Sequence, residues 1–263
     1  MNATARFAFG ANWRRFLELV DEPRIRDATA SLQSMLEVGD LAGRSFLDVG
    51  SGSGLFSLAA RRLGARVHSF DYDPQSVACT RELKRRYFPD DPDWTVEPGS
   101  VLDADYLRGL RAFDIVYSWG VLHHTGAMQQ AFDRIDACVA DDGRLFIAIY
   151  NDQGLPSRYW TRVKQLYTRS RAARPLLIAV HAAWLIAPGW LLRKIRRAAY
   201  PRGMSPWRDL IDWLGGYPFE VAKPEQVFAC FRRLGYELTM LRTVGGKMGC
   251  NEFVFRRAPD HSA

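Results

Sequence analysis

Ser45 to Leu58 read S-F-L-D-V-G-S-G-S-G-L-F-S-L, and no other stretch constrains the fold of this chain as much. A short apolar run carries one acid, Asp48, and ends on three alternating glycines, Gly50, Gly52 and Gly54, before a helical pattern starts at Leu55. That order predicts a strand, a tight turn and a helix. Glycine suits the turn because the backbone must take positive φ and let a ligand approach without a Cβ in the way. The first turn of the helix then presents N–H groups that have no intrahelical partner. Spacing narrows the ligand: a dinucleotide fingerprint wants a third glycine where Leu55 stands, and a phosphate loop wants a Gly-Lys-Ser/Thr that is absent. An NAD-linked oxidoreductase therefore ranks last among the readings.

The stretch resembles the first motif of class I S-adenosylmethionine (SAM) methyltransferases, a hydrophobic strand, an acidic residue and G-x-G-x-G. The resemblance implies SAM as cofactor, with Asp48 near its methionine end and Gly50, Ser51, Gly52 and Gly54 passing beneath it. A second strand, Arg66 to Phe70, is followed at once by Asp71. A carboxylate about 20 positions beyond the first glycine can accept both hydroxyl hydrogens of a ribose, so Asp71, with Tyr72 beside it, is the expected ribose ligand. Asp73-Pro74 reads instead as the N-cap and first-turn proline of a helix to about Phe88. In the family, residues after the third strand, here about Trp94 to Glu97, read the adenine edge. Ser100 and Val101 match those positions, with Asp103 assisting. A fourth strand, Phe113 to Ser118, leads into W-G-V-L-H-H-T-G. Ligands bind at the carboxyl ends of parallel strands, which adds Ser118, Trp119, His123 and His124 to the site.

Further on, the pattern predicts a helix from Gly126 to Val139, a D-D-G turn, a fifth strand from Arg144 to Tyr150, a helix from Lys223 to Leu234, and strands Tyr236–Val244 and Asn251–Arg256. The resemblance makes this an α/β fold: a Rossmann-like seven-stranded class I methyltransferase sheet, its last strand antiparallel, with a helical insertion after the fifth strand. The expected division is a helical cap over residues 1–44, a SAM-binding core over 45–150, an insertion over 151–217, a helix and strand hairpin completing the core over 218–257, and a tail. Two helices are expected ahead of the first strand, the second from about Glu22 to Val38. The opening segment is similar to one that folds over the cofactor in several methyltransferase groups, which would bring Trp13 or Phe16 near the sulfonium.

Charge is informative only when divided along the chain. Residues 151–217 hold 12 Lys or Arg against 3 Asp, net +9, and the remainder holds 24 against 26, net −2. Inside that basic insertion, Pro175 to Leu192 carry no Asp, Glu, Lys or Arg, and five of the eight tryptophans, Trp160, Trp184, Trp190, Trp207 and Trp213, fall within it. Eighteen helical residues span only ~27 Å, and Pro188-Gly189 interrupts them, so a membrane span is not expected. Two readings remain: a lid over the substrate, or an interfacial element resting on anionic lipid. The four cysteines show no C-x-x-C spacing, which argues against bound metal and for a reducing compartment, and no signal-peptide pattern opens the chain. A cytoplasmic protein, with peripheral membrane contact on the second reading, is expected.

Methyl transfer asks the protein to align an acceptor and, for a hydroxyl, to take its proton. A histidine with an ordinary pKa of ~6.5 suits that task at neutral pH. His123 and His124 are adjacent, so one faces the acceptor; the corresponding position in related families favours His123. Asp152 and Glu220 are further acid–base candidates, with Asn151 and Tyr217 beside them as substrate contacts. The core motifs are similar to those of ubiquinone-pathway O-methyltransferases, although L-H-H-T stands where those usually read L-E-H-V. The reading is thus O-methylation of a small or lipid-linked molecule. Rivals are a nucleic-acid methyltransferase, suggested by the basic insertion, and a SAM- or lipid-binding module without catalysis. S-W-G-V after the fourth strand lacks the Asn/Asp-Pro-Pro-Tyr of enzymes that methylate exocyclic base or glutamine nitrogens, so nucleic acid is not favoured.

Overall fold

The computed structural model describes residue 17, residues 20–186 and residues 206–258. Trp13, Phe16, Trp190 and the first of the two expected N-terminal helices lie outside the described residues. Those described divide into two compact units: residues 154–186 with 206–219, and the rest.

The larger unit is built on seven strands, β1 (Ser45–Val49), β2 (Arg66–Asp71), β3 (Trp94–Pro98), β4 (Phe113–Trp119), β5 (Val139–Tyr150), β6 (Tyr236–Arg242) and β7 (Cys250–Arg257). Across the sheet they run β3-β2-β1-β4-β5-β7-β6. The first five pair in parallel, and β7 lies antiparallel to both β5 and β6. This is the seven-stranded sheet that the sequence implies. β1 is buried along its whole length, as a central parallel strand covered on both faces must be, and this explains its near-continuous apolar run.

Successive β1 residues point to opposite faces, and two cores follow. On one face Phe46, Val67, Ile115 and Phe146 pack with Ile25, Leu32, Leu58 and Leu83, which come from the helices Glu22–Leu36, Leu55–Arg62 and Pro74–Tyr87. On the other, Leu47, Phe70, Val116 and Ile147 pack with Leu107, Phe132 and Phe231 from the helices Ala104–Gly109, Met128–Ile135 and Pro224–Arg233. All four cysteines are free thiols, three of them buried.

Two local expectations are corrected. The D-D-G segment is no separating turn, because β5 already begins at Val139, which pairs with Phe113; the register then jumps so that Ile115 faces Arg144. Buried Val139 and Leu145 anchor the strand on either side, and the polar residues between them bulge out, with Asp142 at φ 57°. The preceding helix is also shorter than expected, Met128–Ile135, and closes in a 3-10 turn over Asp136–Cys138. There the Asp136 carboxylate accepts hydrogen bonds from the Tyr236 hydroxyl and from Arg257, which ties the tightened turn to β6 and β7.

The smaller unit is helical. It comprises Leu155–Arg169, then Arg174–His181 running into a π-helical turn over Ala182–Ile186, and Pro206–Gly215. Trp160, Val163, Lys164 and Tyr167 form the buried face of the first helix. Residues 151–153 group with the larger unit, and Pro218 and Phe219 with the smaller. Among the described residues no helix is long and apolar enough to cross a membrane.

Candidate functional site

The loop after β1 takes the conformation its glycines permit: Gly50, Gly52 and Gly54 have φ of 81°, 55° and 81°. The N–H groups of Gly50 and Ser51 both donate to the Phe70 carbonyl, at 2.9 and 3.1 Å, and tie the loop to the end of β2. A Cβ on Gly50 would lie 2.5 Å from Val121, and one on Gly54 2.9 Å from Thr80. The protein's own packing therefore requires two of the three glycines. The Ser51 hydroxyl is buried against the Thr80 hydroxyl at 2.9 Å, which leaves the loop backbone as the surface a ligand would meet.

Asp71 is fixed at both carboxylate oxygens. Oδ2 accepts from the Gly52 N–H at 2.9 Å and Oδ1 from the Asp73 N–H at 2.8 Å. Burial raises its pKa, and the two N–H groups pull it back down. Tyr72 is 64% exposed beside it, an aromatic surface next to the carboxylate. Asp73 caps the following helix by accepting from the Gln75 N–H, as its Asp-Pro sequence implies. After β3, the Ser100 hydroxyl accepts from the Leu102 N–H, Val101 is buried, and Asp103 caps the helix Ala104–Gly109 through the Asp105 and Tyr106 N–H groups. Ser100 and Asp103 thus already hold local turns with their side chains.

Asp48 is buried on β1, and its carboxylate accepts from the Ser57 hydroxyl at 2.5 Å. Ser57 is in turn 2.8 Å from the Ser69 hydroxyl, which accepts from the Trp94 indole at 3.0 Å. A polar chain so runs beneath the loop through β1, the helix Leu55–Arg62, β2 and β3. Burial, with the charge of Asp71 adding to it, raises the Asp48 pKa to about 7, against the pull of Ser57. Tyr117, its register partner on β4, has a buried hydroxyl that makes no hydrogen bond to the described residues.

At the end of β4 the expected residues separate by role. Ser118 is fully buried and donates to the Val49 carbonyl at 3.1 Å, binding β4 to β1. Trp119 is 44% exposed, and its indole donates to Glu252 on β7 at 2.8 Å. Arg242 on β6 approaches the other Glu252 oxygen at 3.1 Å. This Trp119–Glu252–Arg242 row is polar surface that the sequence did not announce, because its members come from three strands 133 residues apart at the extremes. His123 and His124 form a 3-10 turn with Leu122, and their rings cluster with Tyr150, which lies 4.4 Å from His123 and 5.8 Å from His124 between centroids. His123 has no exposed surface, whereas His124 is half-buried.

Glu220 serves a structural contact. Its carboxylate accepts from the Met128 N–H at 3.1 Å, capping a helix whose own Ala127 supplies no side-chain cap, while its N–H donates to the His123 carbonyl. The Asp152 N–H donates to the Ala222 carbonyl ahead of the helix Pro224–Arg233, and Asn151 joins Asn251 and the Lys247 carbonyl, which secures the loop before β7. Tyr217 belongs to the smaller unit. Among the described residues no cluster of three or more His, Cys, Asp or Glu could hold a metal ion.

These residues fit an adenosyl cofactor. The glycine loop presents backbone without Cβ atoms, Asp71 is a carboxylate bonded to that loop, and Tyr72 is an exposed ring beside it. A family model described as "Methyltransferase domain" matches residues 20–185. The chain is 42% identical over 78 residues to the ribosomal protein L11 methyltransferase of Methylococcus capsulatus, across 29% of this chain and 27% of that protein. It is 34% identical over 111 residues to the tRNA U34 carboxymethyltransferase of the same organism, across 42% and 33%. The similarity thus spans about a third or less of the length of these curated relatives. Among solved structures, magnesium protoporphyrin IX methyltransferase from Synechocystis PCC 6803 with bound SAH superposes at a TM-score of 0.55 and 14% identity, covering 95% of this chain and 94% of that one. At that identity the likeness is one of fold.

Proposed function

The chain belongs to the methyltransferase-domain family, and from that premise we propose that it transfers a methyl group from SAM to a hydroxyl of a small or lipid-linked acceptor. One observation carries the cofactor half of this reading: Asp71, at the end of β2, is bonded directly to the N–H of Gly52 in the glycine loop. One carboxylate therefore orders the loop and keeps lone pairs that a ribose diol could use. Bound there, the cofactor supplies an electrophilic methyl group on a sulfonium sulfur.

The protein's own residues do the remainder. The loop backbone and Asp71 would hold the adenosyl group, the exposed Tyr72 ring would offer it a face, and Asp48 would serve the methionine end from beneath the loop. For the acceptor, the histidine pair supplies the base. His123 is the partner favoured by position in the sequence, but a group must touch the acceptor to take its proton. The partial exposure of His124, against none for His123, supports it as the acceptor-facing imidazole, with the His123 and Tyr150 rings clustered beside it. Trp119 and Glu252 border the same carboxyl-end surface and contribute to acceptor choice.

The curated relatives include a tRNA-modifying and a ribosomal-protein-modifying enzyme, and the absence of any acid between residues 154 and 186 would suit a polyanion. The apolar surface of that segment favours a lipid-linked acceptor over nucleic acid. Incubation of total metabolite, lipid and RNA fractions with methyl-labelled SAM tests this. A labelled small molecule or lipid whose methyl resists mild base, which excludes an ester, and shows the carbon-13 shift of an O-methyl group supports a hydroxyl acceptor. Label confined to RNA or protein would overturn it, and failure to bind SAM by calorimetry would overturn the cofactor as well.

A further inference from the structure

The helix Arg174–His181 and the turn Ala182–Ile186 that continues it carry their apolar stripe on the outside. Leu176 is 67% exposed, Val180 53% and Trp184 59%. These three sit at i, i+4 and i+8, and Pro175, Ala179 and Ala183, one position before each, are exposed too. Six consecutive outward positions are therefore uncharged and mostly apolar, the reverse of what a helix on a soluble surface presents. The opposite side is occupied: His181 is buried, 2.8 Å from the Tyr159 hydroxyl and 2.7 Å from the Leu177 carbonyl, with Trp160 beside it, and Trp184, at the end of the stripe, stacks on Trp160 at 6.2 Å between centroids while more than half of its surface stays exposed.

Within the segment 154–186 the formal charge has one sign. Residues 154–186 contain Arg158, Arg162, Lys164, Arg169, Arg171 and Arg174 and no Asp or Glu. Arg169 and Arg171, just ahead of the stripe, are exposed, as are Arg158 and Arg162 on the preceding helix. On that helix Leu155, Tyr159 and Leu166 are exposed among the arginines, at 77%, 44% and 48%. The uncharged run continues in the sequence to Leu192 and ends at Arg193, Lys194, Arg196 and Arg197, which lie outside the described residues.

We propose that the outward face of Pro175–Trp184 docks on an anionic lipid surface, with Leu176, Val180 and Trp184 entering the interface and Arg169 and Arg171 meeting the headgroups. A protein groove would satisfy the apolar stripe alone. An anionic bilayer satisfies both observations, because it joins a hydrocarbon layer to a sheet of negative charge. Tryptophan favours that boundary, where its ring is buried and its N–H stays wet. The contact is peripheral, since no described helix is long and apolar enough to span. The purpose of this surface rests on the lipid-linked reading of the acceptor; its existence does not.

The test is co-sedimentation of the whole protein, without SAM, with vesicles of phosphatidylglycerol and phosphatidylcholine in equal parts and with phosphatidylcholine alone. Binding is expected to the anionic vesicles at low salt and to weaken as salt rises. The double substitution Leu176→Glu/Val180→Glu, at positions whose exposure keeps the change clear of the core, is expected to weaken it about tenfold or more, and Arg171→Glu to weaken it less. Quenching of tryptophan emission by brominated lipid is expected for the wild type and reduced in Trp184→Phe. Absence of binding to anionic vesicles at low salt, or equal binding by the double variant, overturns the proposal. So does a concentration-dependent dimer that Leu176→Glu/Val180→Glu breaks in the absence of vesicle binding, which would make this face a contact between copies. SAM calorimetry on the same preparations separates failure here from failure of the methyltransferase reading.

Discussion

The Ser57 hydroxyl donates to the Asp48 carboxylate at 2.5 Å in the buried layer beneath the glycine loop. It opposes the burial, but burial prevails and the Asp48 pKa rises from its ordinary 3.8 to about 7 with the bond in place. A carboxyl whose pKa is raised in the folded state contributes stability that is full below the unfolded value and lost as pH rises through the folded one. Wild type should therefore lose about 2–4 kcal/mol relative to Asp48→Asn between about pH 4 and pH 8, read from urea midpoints. A cofactor carrying positive charge favours the ionised form, so SAM affinity should climb with pH through about 7 in wild type and stay flat in Asp48→Asn. Ser57→Ala, which removes the opposing donor, should shift that climb to higher pH. Identical pH profiles in all three proteins would show that Asp48 does not sense the cofactor.

Asp71 yields a prediction with two parts, because its carboxylate has two duties. Asp71→Ala removes the acceptor for the Gly52 and Asp73 N–H groups as well as the expected ribose contact. SAM affinity should fall at least about tenfold, some 1.4 kcal/mol, by calorimetry. Asp71→Asn keeps one oxygen acceptor and should preserve the loop better than Ala does, seen as a smaller drop in melting temperature, while still losing most of the affinity. Unchanged SAM binding in both variants would remove the ribose assignment.

The histidine pair separates acceptor chemistry from packing. His124→Ala should cut turnover by about 10²–10⁴ with SAM affinity intact, the usual cost of a lost general base. His123→Ala, at a position with no exposed surface and with the His124 and Tyr150 rings against it, should lower the melting temperature as well as activity. His123→Phe should restore much of that stability. If His123→Phe is stable yet inactive and His124→Ala is active, the roles are reversed.

The sheet order was legible through the family resemblance that the glycine loop carries, while the mostly apolar β1 and β4, each with one acid, marked the strands themselves. A local signal with a direct mechanism also held: Asp73-Pro74 caps its helix. What sequence spacing did not reveal is which polar side chains the fold would use up. Glu220 looks catalytic in D-W-L-G-G-Y-P-F-E, but only the folded chain shows Met128, 92 residues away, presenting an uncapped N–H to it. Ser118 looks like a ligand at a strand end until register puts its hydroxyl against the Val49 carbonyl. Glu252 went unremarked for the converse reason, since its partners Trp119 and Arg242 become neighbours only when β7 slides between β5 and β6.

Lys164, in the smaller unit, gives a prediction that needs no cofactor. Its side chain is 1% exposed on the helix Leu155–Arg169, its ammonium donates to the Trp213 carbonyl, and it lies 3.7 Å from the Trp213 ring centroid and 4.8 Å from that of Phe219. Burial lowers its pKa from 10.5 to about 7. The two ring faces act the other way, because their negative centres favour the cation, and so they limit the penalty of keeping a charge there. With the folded value below the unfolded one, the stabilising contribution is full above the unfolded pKa and is lost as pH falls toward about 7. Wild type should therefore gain stability between about pH 7 and pH 10 relative to Lys164→Met, in which that titration is gone and other groups titrate alike. Met also fills the space, so near pH 7 it should unfold at an equal or higher urea concentration than wild type, whereas Lys164→Ala leaves a cavity and should fall about 2–4 kcal/mol below Lys164→Met at every pH. Parallel pH profiles for wild type and Lys164→Met would mean that the lysine stays protonated throughout, with the rings of Trp213 and Phe219 and the Trp213 carbonyl outweighing its burial.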